Sequence, residues 1–212
     1  MKINNLLRKG IAEAMGVMIF VTSIMAASFN PSFKNLALAG TLTLMILLTA
    51  TISGGHLNPA VSFFFFAKKS IDLSTLITYW VAQLAGGAIG LYLGYALSGQ
   101  SVSAVARPTI SASGAFIGEV FATAVLILII IRLATTKRES IIPFAVGLWV
   151  LVASTYTLTG AQANPAVTFA LMLRDGFNQD YLMLVLAQFI GALLALVYII
   201  VLDSDKKKKV KK

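Results

Sequence analysis

The chain has 212 residues, of which 58% are apolar and 12% are charged, and its net charge is +9 at pH 7. Soluble domains are typically about 45–50% apolar and about 25% charged, so this composition excludes an ordinary soluble domain and indicates a polytopic membrane protein. The sequence contains no cysteine and a single histidine, His56. A disulfide framework and a cysteine-ligated zinc site are therefore excluded, and we expect no metal, no organic cofactor and no enzymatic site.

Six segments are apolar over the length of about 20 residues that a helix needs to cross the hydrocarbon core of a bilayer. In chain order they are about 11–29, 36–52, 73–97, 114–133, 141–158 and 180–202. The first follows a basic stretch and ends in Ala26-Ala27-Ser28, which is also the pattern of a cleaved signal peptide. Glu13 lies inside this segment and favours a retained span over a signal peptide.

The basic residues predict the orientation of the spans. If the N-terminus is cytoplasmic, all 17 lysines and arginines except Lys34, Arg107 and Arg174 lie on the cytoplasmic side, as the positive-inside rule requires. Both termini are then cytoplasmic, in a plasma membrane. The lysine-rich tail 203–212 is interpreted as an anchor near anionic lipid, so the positive charge does not indicate a nucleic-acid partner.

Two further segments, about 57–67 and 163–172, are too short to span the bilayer and too apolar for ordinary loops. They contain the triplets Asn58-Pro59-Ala60 and Asn164-Pro165-Ala166, which lie 106 residues apart, and Glu13 and Glu119 have the same separation. The halves 1–100 and 108–202 each hold three spans, so they insert with opposite orientation. The sequence predicts an all-α membrane protein with six transmembrane helices plus two re-entrant half-helices in an inverted three-helix repeat, forming one domain over 1–202.

The paired triplets predict a chemistry at the centre of the membrane. Asn is a favoured helix N-cap and Pro a favoured first helical residue, so Asn58 and Asn164 should each begin a half-helix. Each half-helix would point an N-terminus, with roughly half a positive charge, at the midplane. Two such ends disfavour cations and protons, while the asparagine amides can donate to water or to a hydroxyl group.

These features resemble the aquaporin, or major intrinsic protein, family, which includes the aquaglyceroporins. The resemblance covers the chain outside the lysine tail and implies a channel for water and small neutral solutes. It also implies that the two triplets form the central constriction, that Glu13 and Glu119 hold the re-entrant loops by hydrogen bonds, and that four chains assemble as a homotetramer in the lipid bilayer. No cofactor is implied.

The sequence departs from the family pattern directly after the second triplet, where the family usually carries Arg and this chain has Val167. In the family that Arg belongs to an outer selectivity filter. The other filter positions would fall near Leu38, Val152 and Ala161, which are apolar and mostly small. We expect a wider, less polar filter that admits glycerol-like solutes, to which Gln162 could add a polar group.

Several alternatives remain open at this level. A small secondary carrier can also be built on an inverted repeat, although its midplane site usually contains an ionisable group. A non-conducting structural membrane protein is a third possibility. Instead of holding the loops, the two glutamates could simply be acids near helix N-termini, where a negative charge is favourable. His56 is expected to line the cytoplasmic vestibule, with a pH gate as the alternative.

Overall fold

The computed structural model describes residues 4–103 and 112–209, and in these ranges the secondary structure is helical, with no strand. Arg107, part of the seam between the two halves, and residues 1–3 and 210–212 lie outside the described residues. The eight α-helices, numbered in chain order, are α1 (Asn5–Ala27), α2 (Lys34–Ser53), α3 (Pro59–Ala67), α4 (Leu73–Leu97), α5 (Ala112–Thr135), α6 (Ile142–Tyr156), α7 (Pro165–Asp175) and α8 (Gln179–Lys209).

The described residues contain six helices long and apolar enough to cross a membrane, which confirms the predicted number of spans. The fifth is α6 together with the short 3-10 helix Glu139–Ile141 before it. Two ends were placed wrongly from the sequence, because hydropathy marks the edge of the membrane and not the end of the helix. The N-cap of α1 is Asn4, whose side chain accepts from Leu6 N at 2.9 Å, and α8 continues into the lysine-rich tail.

Glycines bring the long helices of each half into close contact, as small residues at helix interfaces do in membranes. A methyl group added to Gly86 or Gly90 would stand 2.3 Å and 2.5 Å from carbonyl oxygens of α1. In the second half, a methyl group on Gly191 of α8 would stand 2.5 Å from the carbonyl oxygen of Val120 on α5. The two halves are therefore built on equivalent helix pairs, α1 with α4 and α5 with α8.

The short helices α3 and α7 begin at the two Asn-Pro-Ala triplets. Asn58 Oδ1 accepts from Ala60 N at 2.8 Å, and Asn164 Oδ1 accepts from Ala166 N at 3.0 Å. Proline occupies the first turn of both helices, where its missing N–H would have no intrahelical partner. With 9 and 11 residues, these helices are roughly 14–17 Å long, which is about half of the hydrocarbon core.

Candidate pore

The two buried glutamates hold the loops that precede α3 and α7. Glu13 Oε1 accepts from Ser53 Oγ at 2.6 Å and from His56 N at 3.0 Å. Its Oε2 accepts from Leu57 N at 2.6 Å and from Gln83 Nε2 at 2.7 Å. Each carboxylate oxygen thus has two donors, which is the kind of satisfaction that a buried charge requires.

The second half repeats this arrangement around Glu119. Its Oε1 accepts from Thr159 Oγ1 and from Gln162 N, the latter at 2.9 Å. Its Oε2 accepts from Ala163 N at 2.7 Å and from Gln188 Nε2 at 2.6 Å. Both glutamates are 0% exposed, and the two glutamines, on α4 and α8, donate to them from neighbouring helices. The same four donors, two backbone N–H groups, one hydroxyl and one glutamine amide, therefore bind each carboxylate.

The loop backbone adopts an unusual conformation on both sides. Leu57 and its repeat counterpart Ala163 have φ values of 49° and 45°, and Ala161 has a φ of 50°. Such left-handed conformations of non-glycine residues cost on the order of 1–3 kcal/mol and persist where the surroundings hold them. Here the glutamate carboxylates bind the N–H groups of Leu57 and Ala163, so the conformation is anchored in each loop.

This conformation leaves a row of carbonyl oxygens without a partner among the described residues. The carbonyls of 54–56 and 160–162 accept no hydrogen bond there, and all six residues border one cavity. Irregular backbone of this kind is tolerated within a membrane only where it is buried in protein or lines a water-filled space. The loops therefore provide acceptors for water or hydroxyl groups in the cavity.

The two asparagines join the half-helices at their N-termini. Asn58 Nδ2 donates to Ala163 O at 2.7 Å, and Asn164 Nδ2 donates to Leu57 O at 2.9 Å. A primary amide has two N–H donors, so each asparagine keeps one N–H beyond this bond to the opposite half. Both side chains border the cavity. The junction of α3 and α7 thus presents two fixed donors at one level.

The cavity has a volume of about 610 Å³ and reaches from one end of the helix bundle to the other. Ser28, Lys34 and Asn35 border what we call the outer end, and Ala134 and Glu139 border the inner end. The residues of the two pore loops and the two asparagines provide polar groups to its lining. Apolar side chains of α2 and α6 line the cavity as well; they include Leu38, Leu42, Ile46, Val146 and Val150. A passage lined by both polar and apolar groups suits a file of small neutral molecules.

Comparisons with known proteins agree with this architecture. The family model described as "Major intrinsic protein" matches residues 1–198. The chain belongs to the major intrinsic protein family. An aquaglyceroporin of Toxoplasma gondii is 30% identical over 177 residues, which are 80% of this chain and 66%, or slightly less than two thirds, of that protein. Aquaporin TIP1-1 of Arabidopsis thaliana is 31% identical over 185 residues, covering 77% of this chain and 74% of that protein.

A solved structure shows the same fold. The X-ray structure of the aquaglyceroporin from Plasmodium falciparum superposes with a TM-score of 0.75 at 23% identity, covering 91% of this chain and 95% of that chain. Membership in the family identifies the protein as a passive transmembrane channel for water or small uncharged solutes. The comparisons give no support to the carrier alternative, and the family is one of channels rather than enzymes.

The structure separates the predicted pore residues of this channel into two groups. Asn58 and Asn164 border the cavity, whereas Pro59, Ala60, Pro165 and Ala166 are buried and do not. Within each triplet, therefore, only the asparagine borders the cavity. The prolines and alanines form the first turns behind the asparagines, and Pro59 O accepts from Trp80 Nε1 of α4 at 3.0 Å.

Of the predicted filter positions, Leu38, Ala161 and Val167 border the cavity, but Val152 does not. Val152 is 44% exposed on the outer surface of α6, while Val150 is 6% exposed and lines the cavity together with Ser154. Two residues along a helix rotate a side chain by about 200°, so a small error in helix phase reverses the face. The prediction for Val152 is wrong, and Val150 and Ser154 are the lining residues on that segment.

Sequence reasoning also missed Arg174, which it treated only as an outside charge. Arg174 borders the cavity with Val167 and Leu171, in the i, i+4, i+7 pattern of one helix face that could have revealed it. Its Nε and terminal Nη2 donate to the Asp175 carboxylate at 2.6 Å and 2.8 Å. Tyr181 OH donates to the same carboxylate. A tethered cation therefore stands near the outer end of the channel.

His56 borders the cavity, on the loop before Asn58. Its ring stacks on Phe65 with centroids 4.7 Å apart and meets Tyr79 edge-on at 5.2 Å. Its Nδ1 lies 3.1 Å from Ser62 Oγ. Among the residues the structure describes, no group of three or more His, Asp or Glu side chains could hold a metal ion. The histidine thus belongs to the wall of the channel.

Proposed function

We propose that this channel conducts glycerol-sized neutral solutes as well as water and excludes ions, and that it does not act as an enzyme. The observation that carries the proposal is the filter level of the cavity, where Leu38, Ala161 and Val167 present apolar side chains. Small and medium apolar groups leave a wider opening than an arginine would. The aquaglyceroporin of Toxoplasma gondii, a 30% identical relative, supports a solute of this class.

Ion exclusion is assigned to the junction of the half-helices. The N-termini of α3 and α7 meet there, and each contributes roughly half a positive charge from aligned peptide dipoles. Asn58 and Asn164 can each donate one N–H to the oxygen of a passing water or hydroxyl. A cation or a hydrated proton would meet like charge at this point, with an apolar wall opposite that cannot replace its hydration shell.

The buried glutamates are assigned a supporting role in this scheme. Glu13 and Glu119 each bind two backbone N–H groups of a pore loop. By fixing these N–H groups, they direct the loop carbonyls toward the cavity, where a file of water needs acceptors. His56 is assigned to the wall of the cytoplasmic vestibule. None of these groups needs to change protonation for passive conduction, so a proton relay is not part of the proposal.

The exposed apolar surface supports a membrane location and an oligomeric assembly for the channel. Large apolar side chains are exposed around the bundle, among them Leu48, Val81, Ile117, Leu148 and Val197, and these fit lipid tails or neighbouring subunits. We propose a homotetramer in the plasma membrane, in which each subunit is one transmembrane domain over 1–202. Both termini and the tail 203–212 are cytoplasmic in this proposal, as the distribution of lysine and arginine favours.

The proposal is tested on purified protein in liposomes by stopped-flow light scattering. In an impermeant osmolyte gradient, vesicles with the channel should shrink faster than empty vesicles. In a glycerol gradient, the same vesicles should then reswell rapidly as glycerol enters. A potential-sensitive dye should report no added conductance to potassium or protons. Water flux without glycerol entry would contradict the wide filter, and an ion conductance would contradict the role of the half-helix junction.

A further inference from the structure

The side chain of Gln162 is a polar group on the cavity wall that the filter residues do not account for. It lies between Ala161 and Ala163 in the loop before α7, and it borders the cavity. Its Oε1 accepts from Thr168 Oγ1 at 2.7 Å. Its Nε2 donates to no described residue. It is also not one of the fully buried side-chain atoms without a partner, which in the described part of the chain are Gln83 Oε1, Thr123 Oγ1 and Gln188 Oε1. The amide N–H groups of Gln162 are therefore accessible.

A chain of hydrogen bonds fixes the direction of this amide. Gln188 Nε2 donates to Glu119 Oε2 at 2.6 Å, and an amide oxygen in its place would repel the carboxylate. The same Nε2 donates to Thr168 Oγ1 at 2.9 Å. The threonine hydroxyl, which accepts from Gln188, has one proton of its own to donate, and Gln162 Oε1 is its nearest acceptor. The hydroxyl thus binds the oxygen of Gln162 and leaves the nitrogen for the cavity.

The first half of the chain has a related arrangement with a different side chain. There Gln83 Nε2 donates to Ser62 Oγ at 3.0 Å, and Ser62 Oγ lies 3.1 Å from His56 Nδ1. Ser62 and His56 are each 106 residues before Thr168 and Gln162. In both halves a hydroxyl on the half-helix holds the polar side chain that precedes the asparagine by two positions. The position of Gln162 is therefore built into the repeat.

We propose that Gln162 is a specificity-determining residue of the outer channel and that Thr168 is its positioning residue. The inference rests on the proposed passage of glycerol-sized solutes. At this level the wall offers carbonyl acceptors from the loop and apolar groups from Leu38 and Val167. A polyol hydroxyl or an amide carbonyl also needs a donor, since leaving its oxygen unpaired costs free energy. The Gln162 amide supplies that donor for small polyols and amides such as glycerol and urea.

Replacing Gln162 tests this assignment. Gln162→Met keeps the length of the side chain and removes its donors. We expect the ratio of glycerol to water permeability to fall by about five- to tenfold, the equivalent of one lost hydrogen bond, because water is small enough to be satisfied by the carbonyls and asparagines alone. Gln100→Met, at an exposed position that does not border the cavity, is the matched control and should leave the ratio unchanged.

The role of Thr168 is tested by a pair of variants. Thr168→Val removes the hydroxyl and should lower the ratio as Gln162→Met does, whereas Thr168→Ser retains the hydroxyl and should preserve the ratio. A merely structural role would lower water and glycerol permeability together. If the wild type conducts glycerol and Gln162→Met keeps the wild-type ratio, the inference is wrong and the proposed function stands. If the wild type conducts no glycerol, the proposed function is wrong, and the inference is wrong with it.

Discussion

Glu13 and Glu119 are fully buried carboxylates in a membrane protein, and each accepts four hydrogen bonds. Hydrogen bonds to a charged group contribute about 1.5–3 kcal/mol each to stability. Two of the four donors in each set are backbone N–H groups of a pore loop. At the scale of the residue, the free energy that stabilises the loops is therefore concentrated on two side chains.

Glu13→Gln and Glu119→Gln should each lower the thermal unfolding temperature and reduce water permeability per molecule. The new amide places an NH₂ group where two donors converge, so at least one backbone N–H loses its acceptor. Because the two networks match donor for donor, the two variants should behave alike. Glu139→Gln, at an exposed residue, is the control for stability and should unfold at the same temperature as the wild type. Unfolding of all three variants is measured in detergent solution by tryptophan fluorescence.

A large difference between the two glutamate variants would contradict the equivalence of the two networks. A lowered unfolding temperature with unchanged water permeability would show that the carboxylates support folding and do not shape the pore. An equally lowered unfolding temperature in Glu139→Gln would show that the effect on stability is not specific to the buried carboxylates.

At the scale of the element, the spacing of glycines decides which helices pack together. The α1–α4 contact has carbonyl oxygens of α1 against Gly86 and Gly90, where no side chain fits. Gly40 on α2 has no atom within 4 Å of an added methyl group. Replacing Gly90 and Gly40 by alanine therefore distinguishes the cost of disturbing a close helix contact from the gain in helix propensity.

Gly90→Ala should destabilise the channel by about 1–3 kcal/mol, the usual cost of overpacking, because the new methyl group would stand 2.5 Å from Met18 O. Gly40→Ala should be neutral or stabilising by up to about 1 kcal/mol, since alanine favours a helix. Thermal unfolding in detergent measures both. Equal behaviour of the two variants would contradict the close contact between α1 and α4.

The elements themselves follow from the sequence to a large degree. Runs of apolar residues placed the six spans, and Asn-Pro placed the starts of both half-helices, because capping is local chemistry. The face of α6 that lines the cavity could not be predicted from the sequence. Sequence spacing does not give the rotation of α6, because the loop 157–164 that follows it has a left-handed turn at Ala161 that depends on the distant carboxylate of Glu119. The charge of Arg174 also fits the predicted topology, and only the register of α7 shows that this residue borders the cavity.

At the scale of the whole molecule, the distribution of charge sets the proposed orientation. The native chain contains no cysteine, so single cysteines report topology without background. Ser101→Cys lies between α4 and α5 on the side predicted to be outside, and Ser204→Cys lies in the tail. A membrane-impermeant maleimide should label the first in intact cells and the second only after permeabilisation. The reverse pattern would contradict cytoplasmic termini.

The width of the filter is the central claim about the molecule as a channel, and Val167→Arg tests it most directly. Val167 is 4% exposed and borders the cavity, so an arginine there adds bulk and a fixed positive charge to the passage. Liposome light scattering should show glycerol permeability reduced by about tenfold or more, with water permeability changed far less, as narrowing of a pore discriminates by solute size. Val167→Met, which adds bulk without charge, should have a smaller effect. Unchanged glycerol permeability in Val167→Arg would contradict the assignment of Val167 to the filter and the wide channel inferred from it.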